Sequence, residues 1–166
     1  MKRSLFLLFL ACSLPVSAYA IGKKVTVGYI NLLILETAEA LENKVEPGGV
    51  VMKSFRLKPG SILMVRVAPK EQKLNLNQRE MFREQFSAQL KSRDGVTNFK
   101  SEVLNIDGCA VDYYLYEEIS DLGTGYASDY VTWCDGRMGL ISFADMNKHT
   151  FKVYNRLIQE MELIAE

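Results

Sequence analysis

Apolar and polar positions change period several times along this chain of 166 residues, and each change marks an element. Val50 to Leu57 and Ile62 to Ala68 read as two strands joined by Lys58-Pro59-Gly60-Ser61, a sequence suited to a type II turn. Ile62-Leu63-Met64-Val65 is apolar at every position, which predicts a strand covered on both faces. The period then lengthens. Phe82, Phe86 and Leu90 form one stripe of a helix over 77–92, opened by Asn77 with Glu80 as its capping partner and Leu76 and Met81 as a staple. Lys91 and Arg93 suit the end of that helix, and Gly95 stops it.

Alternation returns in four further strands, 98–104, 110–119, 126–134 and 138–144, with Asp107-Gly108 and Asp135-Gly136 as tight hairpin turns. Phe151, Tyr154, Leu157, Ile158, Met161 and Ile164 predict a closing helix over about 147–164. Residues 21–45 fit two periods. Val25, Val27 and Tyr29 alternate like an edge strand, whereas Ile30, Leu33, Ile34, Ala38 and Leu41 fall at helical spacing. Glu36 to Asn43 is rich in helix formers, so a helix over 30–43 is the expectation, with strand as the alternative. Pro47-Gly48-Gly49 ends whichever element precedes it.

The first 20 residues have a different logic. Lys2 and Arg3 precede the apolar run Leu5 to Leu10, and Ala18-Tyr19-Ala20 offers a small-x-small cleavage site. This order describes a secretory signal peptide, with cleavage after Ala20 and a periplasmic or secreted domain over 21–166. A lipoprotein signal would instead cut before Cys12. Phe9 stands where leucine is usual and the preceding run is short, so lipidation of Cys12 is the lesser alternative. Removing 20 residues from 166 leaves 146, the size of one domain. Without Lys2 and Arg3 the 20 basic residues become 18 against 20 acidic ones, a net charge of about −2. No basic run longer than Lys23-Lys24 remains, so nucleic acid and anionic lipid are not expected partners. No later stretch has the roughly 20 apolar residues that a spanning helix needs.

Two cysteines remain, Cys109 and Cys134, and an even pair in an oxidising compartment reads as a disulfide. Pairing the strands 110–119 and 126–134 about Asp121-Leu122 puts Cys109 opposite Cys134, Val111 opposite Thr132, Tyr113 opposite Tyr130 and Glu117 opposite Tyr126. The other face of that hairpin carries Tyr114, Tyr116, Val131 and Trp133.

The order of elements, with Val103-Leu104-Asn105-Ile106-Asp107-Gly108-Cys109-Ala110 leading into the central strands, resembles the PsbP-like family over about residues 48–164. That resemblance implies an α+β fold: an antiparallel β-sheet of about six strands flanked by helices, a three-layer α/β/α sandwich. Members include extrinsic photosystem subunits, binders of a nuclear GTPase, bacterial lipoproteins and periplasmic immunity proteins of type VI secretion. What they tend to share is partner binding without catalysis, which is an analogy of fold.

Chemistry has few places to reside. His149 is the only histidine and reads as a solvated residue at the start of the last helix. A Cys–His nucleophile is removed by the expected disulfide, and neither His-Glu-x-x-His nor Gly-x-Ser-x-Gly occurs. Gly123-Thr124-Gly125 lacks the residues of a phosphate loop. Glu117, Glu118, Asp121 and Asp129 surround a hairpin tip, but their spacing matches no EF-hand. No catalytic residue, metal or cofactor is therefore expected. The expected function is an exported protein-binding domain, with an immunity or inhibitor protein of a secreted toxin as one version. Its contact surface would be the loop Asp121, Leu122, Gly123, Thr124, Gly125 and Tyr126, close to the aromatic residues of the hairpin. The alternatives are a periplasmic small-ligand carrier or sensor, and a hydrolase with an unrecognised site.

Overall fold

The computed structural model describes residues 22–164; the segment expected to be a signal peptide, with Cys12, lies outside them. The chain opens with a hairpin of β1 (Gly22–Val27) and β2 (Ile30–Leu35), where a helix over 30–43 was expected. Burial explains the difference. Leu33, on the expected helical stripe, is 42% exposed, while Leu32, off that stripe, is 1% exposed. The run Ile30 to Leu35 is thus a strand pressed onto a core, and its helical spacing is coincidental. The helix formers after it belong to β3 (Glu39–Val45), exposed along its whole length. β3 is an edge strand, and Glu39, Glu42 and Lys44 are charges that discourage pairing with another chain.

β4 (Val51–Lys58) and β5 (Ser61–Val67) follow, joined through Pro59-Gly60 with Gly60 at φ 83° as the type II turn requires. The expected cover on both faces of β5 is not found: Leu63, Val65 and Val67 are buried on one face, whereas Ile62 on the other is 52% exposed. α1 (Leu76–Lys91) is capped two residues earlier than expected: Asn75 Oδ1 accepts from Gln78 N at 3.0 Å, and Gln78 Oε1 accepts from Asn75 N at 2.9 Å. Asn and Gln form the same reciprocal box as the Asn77 and Glu80 pair would have done. The earlier start leaves Leu76 and Met81 exposed rather than stapled.

Four strands then form a meander: β6 (Val96–Ile106), β7 (Cys109–Ser120), β8 (Gly123–Cys134) and β9 (Arg137–Asp145). Its Asp107-Gly108 and Asp135-Gly136 turns have positive φ at both residues, as type I′ turns demand. The β7–β8 register is the one expected, with Val111 on Thr132, Tyr113 on Tyr130 and Glu117 on Tyr126. Cys109 and Cys134 are joined at its open end with Cα atoms 4.9 Å apart. α2 (Lys148–Gln159) is shorter than expected. The chain leaves it so that β10 (Glu162–Leu163) can pair with Asn31 and Ile30 of β2, burying Met161 and Leu163.

The result is an α+β fold richer in sheet than six strands. Seven strands run antiparallel in the order β3-β4-β5-β9-β8-β7-β6, and a second sheet has the order β1-β2-β10. α1 covers one face through Phe82, Phe86 and Leu90, which pack with Tyr114, Tyr116, Val131 and Trp133. α2 and the small sheet cover the other, where Phe151, Tyr154 and Ile158 meet Ile30, Leu32, Leu63, Val65, Val111, Tyr130, Ile141 and Phe143.

Candidate functional site: a groove beside the second helix

The hairpin β7–β8 alternates its side chains between the two layers, and on the α2 side this places Leu115 and Glu117 beside Tyr126, Ser128 and Tyr130. Lys100, Leu115, Ser128 and Phe143 stand in one row across β6, β7, β8 and β9. α2 covers the inner part of this row and stops short of the β6 edge. A groove of about 600 Å³ is left there, walled by Lys148, Phe151, Lys152, Asn155, Arg156 and Gln159 of α2. Its opposite wall is Asn98 and Lys100 of β6, and Leu115 and Tyr126 lie between.

Each part has a physical cause. β6 bulges between Thr97 and Lys100, where Asn98 adopts φ 52°, a conformation Asn tolerates better than most residues. The bulge lets Asn98 Nδ2 donate to Glu117 Oε2 at 2.7 Å. Lys148 Nζ meets the other oxygen of Glu117 at 3.3 Å and lies 5.3 Å from the centre of the Tyr126 ring. The Asn98 bond, then Lys148, holds the Glu117 carboxyl below its usual range. The Phe151 ring stacks on Phe143 at 5.3 Å and lies 6.0 Å from Tyr126, giving an aromatic floor.

Beneath α2, Asn155 Oδ1 accepts from Ser128 Oγ at 2.6 Å and from Tyr130 OH at 2.7 Å, and Asn155 Nδ2 donates to Tyr113 OH at 2.9 Å. Burial pushes the Tyr113 and Tyr130 phenols up, so both keep their protons. This satisfied network fixes the rotation of α2 and thus the direction of its basic stripe. Lys148, Lys152 and Arg156 are spaced i, i+4, i+8 and are exposed along one side of α2. Among the described residues, Lys100, Lys152 and Arg156 have no carboxylate within ion-pair distance.

The loop singled out in the sequence ends the same hairpin. Asp121-Leu122 forms the tip, with Leu122 89% exposed. Ser120 Oγ accepts from Leu122 N and donates to Gly123 O. Gly123, Thr124 and Gly125 pair back onto Ser120, Ile119 and Glu118, and Tyr126 alone of the six lines the groove. Lys100, Lys152, Arg156 and Asn98 were not singled out, because they come from segments about 50 residues apart. The i, i+4, i+8 spacing of Lys148, Lys152 and Arg156 was a signal for the α2 residues, whereas Asn98 and Lys100 of β6 carried none.

The acidic residues near the tip do not converge. Glu117 faces α2, whereas Asp129 faces the other layer and accepts hydrogen bonds from Tyr116 OH at 3.0 Å and from Ser142 Oγ. Burial raises the Asp129 carboxyl pKa despite those bonds. Among the described residues no three His, Cys, Asp or Glu side chains form a metal-binding group, and His149 is exposed. A second depression of about 690 Å³ opens on the α1 side of the sheet, between Leu41, Met52, Ile62 and Met64 and the Asp129–Ser142 pair. No described helix is long and apolar enough to cross a membrane.

No family model and no curated protein matches the chain. Solved structures do. The solution structure of the cyanobacterial PsbP protein CyanoP from Synechocystis sp. PCC 6803 aligns with TM-score 0.60 and 13% identity over 92% of this chain and 98% of that one. PA94 of Pseudomonas aeruginosa, a protein of unknown function, aligns with TM-score 0.45 and 10% identity over 84% and 92%. At such identity the likeness concerns architecture: the chain has a PsbP-like fold.

Proposed function

We propose that this chain is an exported domain without catalytic activity that works by binding another protein, through the β7–β8 tip and the groove beside it. The observation that carries this reading is the groove: a cationic wall and an aromatic floor held by a saturated hydrogen-bond network, next to a projecting Leu122. Aromatic residues and arginine, here Tyr126, Phe151 and Arg156, are what protein interfaces favour. An inhibitor or immunity protein that closes the active site of a secreted toxin is one form this activity takes. A second reading, a carrier or sensor of a small ligand, is favoured by the volume of the groove, which falls in the roughly 300–1,000 Å³ range of small-molecule sites.

The test is capture from the native compartment after mild crosslinking, using the mature protein and its Leu122→Asp/Tyr126→Ala variant. The expected result is one dominant stoichiometric partner, bound at least tenfold more weakly by the variant. A clean monomer with a small molecule retained in native mass spectrometry would replace this reading with the carrier.

A further inference from the structure

We infer that the groove beside α2 receives an extended acidic segment of the protein partner, with carboxylates at alternate positions and an aromatic or apolar side chain among them. The inference rests on the binding-domain reading and specifies the chemistry of the partner.

The mature chain carries a net charge of about −2, yet the groove walls hold Lys100, Lys148, Lys152 and Arg156 against Glu117 alone. Glu117 is already engaged by Asn98 and Lys148. Lys100, Lys152 and Arg156 therefore present unneutralised charge to whatever enters, and no surrounding excess of positive charge accounts for them. Arg156 offers a planar fork suited to a carboxylate, and the lysines offer point charges.

Residues four apart on a helix are separated by about 6 Å along its axis. Alternate residues of an extended chain are separated by about 6.6 Å. Carboxylates at positions i and i+2 of an extended segment therefore match Lys152 and Arg156, and a third at i+4 reaches one end of the stripe. From Lys148 to Gln159 the wall is about 16 Å long, the length of roughly five extended residues. The floor of Leu115, Tyr126 and Phe151 supplies contact area for an apolar side chain in the same segment.

The probe is the acetylated, amidated pentapeptide Glu-Leu-Glu-Phe-Glu, with Gln-Leu-Gln-Phe-Gln as its neutral twin, titrated into the mature protein at about 0.05 M and about 0.3 M salt. The acidic peptide is expected to perturb the amide resonances of residues 98–100, 115–117, 126 and 148–159. It should bind at least tenfold more tightly than the neutral twin and lose affinity with salt. Lys152→Glu/Arg156→Glu, at exposed positions that leave the fold intact by circular dichroism, should abolish this preference. Lys73→Glu, at the opposite end of the sheet next to Arg137, should preserve it. Equal binding of the two peptides, binding unaffected by the double reversal, or no binding at about 1 mM would each overturn the inference. A partner captured through Leu122 and Tyr126 with undiminished affinity for the double reversal overturns the acidic segment and leaves the binding domain standing. Absence of any partner overturns the binding domain itself.

Discussion

Asp112 shows how much one side chain holds in this fold. It is buried in β7, accepts from Trp133 Nε1 at 2.7 Å through one oxygen, and meets Arg83 of α1 at 2.7–2.8 Å through the other. The same carboxylate raises the Arg83 pKa. Asp112→Ala leaves the indole N–H of Trp133 without its acceptor and removes the ion pair that ties Arg83 of α1 to the sheet. A buried donor left unsatisfied costs about 1–3 kcal/mol, so urea denaturation should show a loss of about 2–3 kcal/mol. Asp129 has the opposite character. Burial dominates there and the folded pKa is raised, so the folded protein holds this proton more tightly than the unfolded chain. Stability contributed at this site is therefore present at low pH and lost as pH rises from the unfolded carboxylate range through the folded pKa. The difference in melting temperature between the protein and its Asp129→Asn variant, followed from about pH 3.5 to 7, should change in that direction and level off above the folded pKa. A flat difference would show that Asp129 does not titrate differently on folding. Neither role was legible in the sequence. Asp112 and Asp129 lie in runs of aromatic and small residues; the expected register gave their layer, but their partners Arg83 and Ser142 come from other elements.

At the scale of elements, the strands after Val50 were legible because their turns carry specific chemistry: Pro59-Gly60, Asp107-Gly108 and Asp135-Gly136 each demand one backbone path. The hairpin register was legible because the cysteines and the turn fix it independently. Breaking the Cys109–Cys134 bridge by double serine substitution releases a loop with a separation of 25 residues, worth about 3 kcal/mol in the chain-entropy account, and should lower the melting temperature. The β1–β2 hairpin was not legible, since a short apolar run such as Ile30 to Leu35 satisfies both periods. Tertiary contacts decide it. Tyr29 OH reaches Thr132 Oγ1 at 2.8 Å and donates to Arg137 O at 3.1 Å, across more than 100 residues of sequence. Gly139 makes room for this contact: a Cβ there would meet Thr132 Oγ1 at 2.5 Å, Ile30 Cδ1 at 2.7 Å and Tyr29 OH at 2.9 Å. Gly139→Ala should cost about 1–3 kcal/mol, as overpacking does, and should raise hydrogen exchange first in residues 22–35. Uniform loss across the sheet would contradict that view of how the hairpin docks.

Across the whole molecule, the candidate site is a product of topology. β6 brings Lys100, the β7–β8 hairpin brings Leu115, Glu117 and Tyr126, and α2 brings Phe151, Lys152 and Arg156. The tip and its aromatic neighbours were legible as a loop and an aromatic cluster because those signals are local. The cationic wall was not, because charge convergence arises only when distant segments are folded together, and overall charge conceals it. The apolar surface at Leu41 and Ile62, on the other side of the sheet, was concealed likewise, since apolar residues in β5 gave no sign of lacking a covering helix.

The most direct measurement is site-specific photo-crosslinking in the native compartment. The photoreactive residue replaces Leu122 at the tip, Gln159 at the end of the groove, or Glu84 on the far side of the molecule, in α1. One dominant adduct is expected, common to positions 122 and 159 and absent from 84. Adducts that are equally abundant from all three positions, or that form only from position 84, would contradict it.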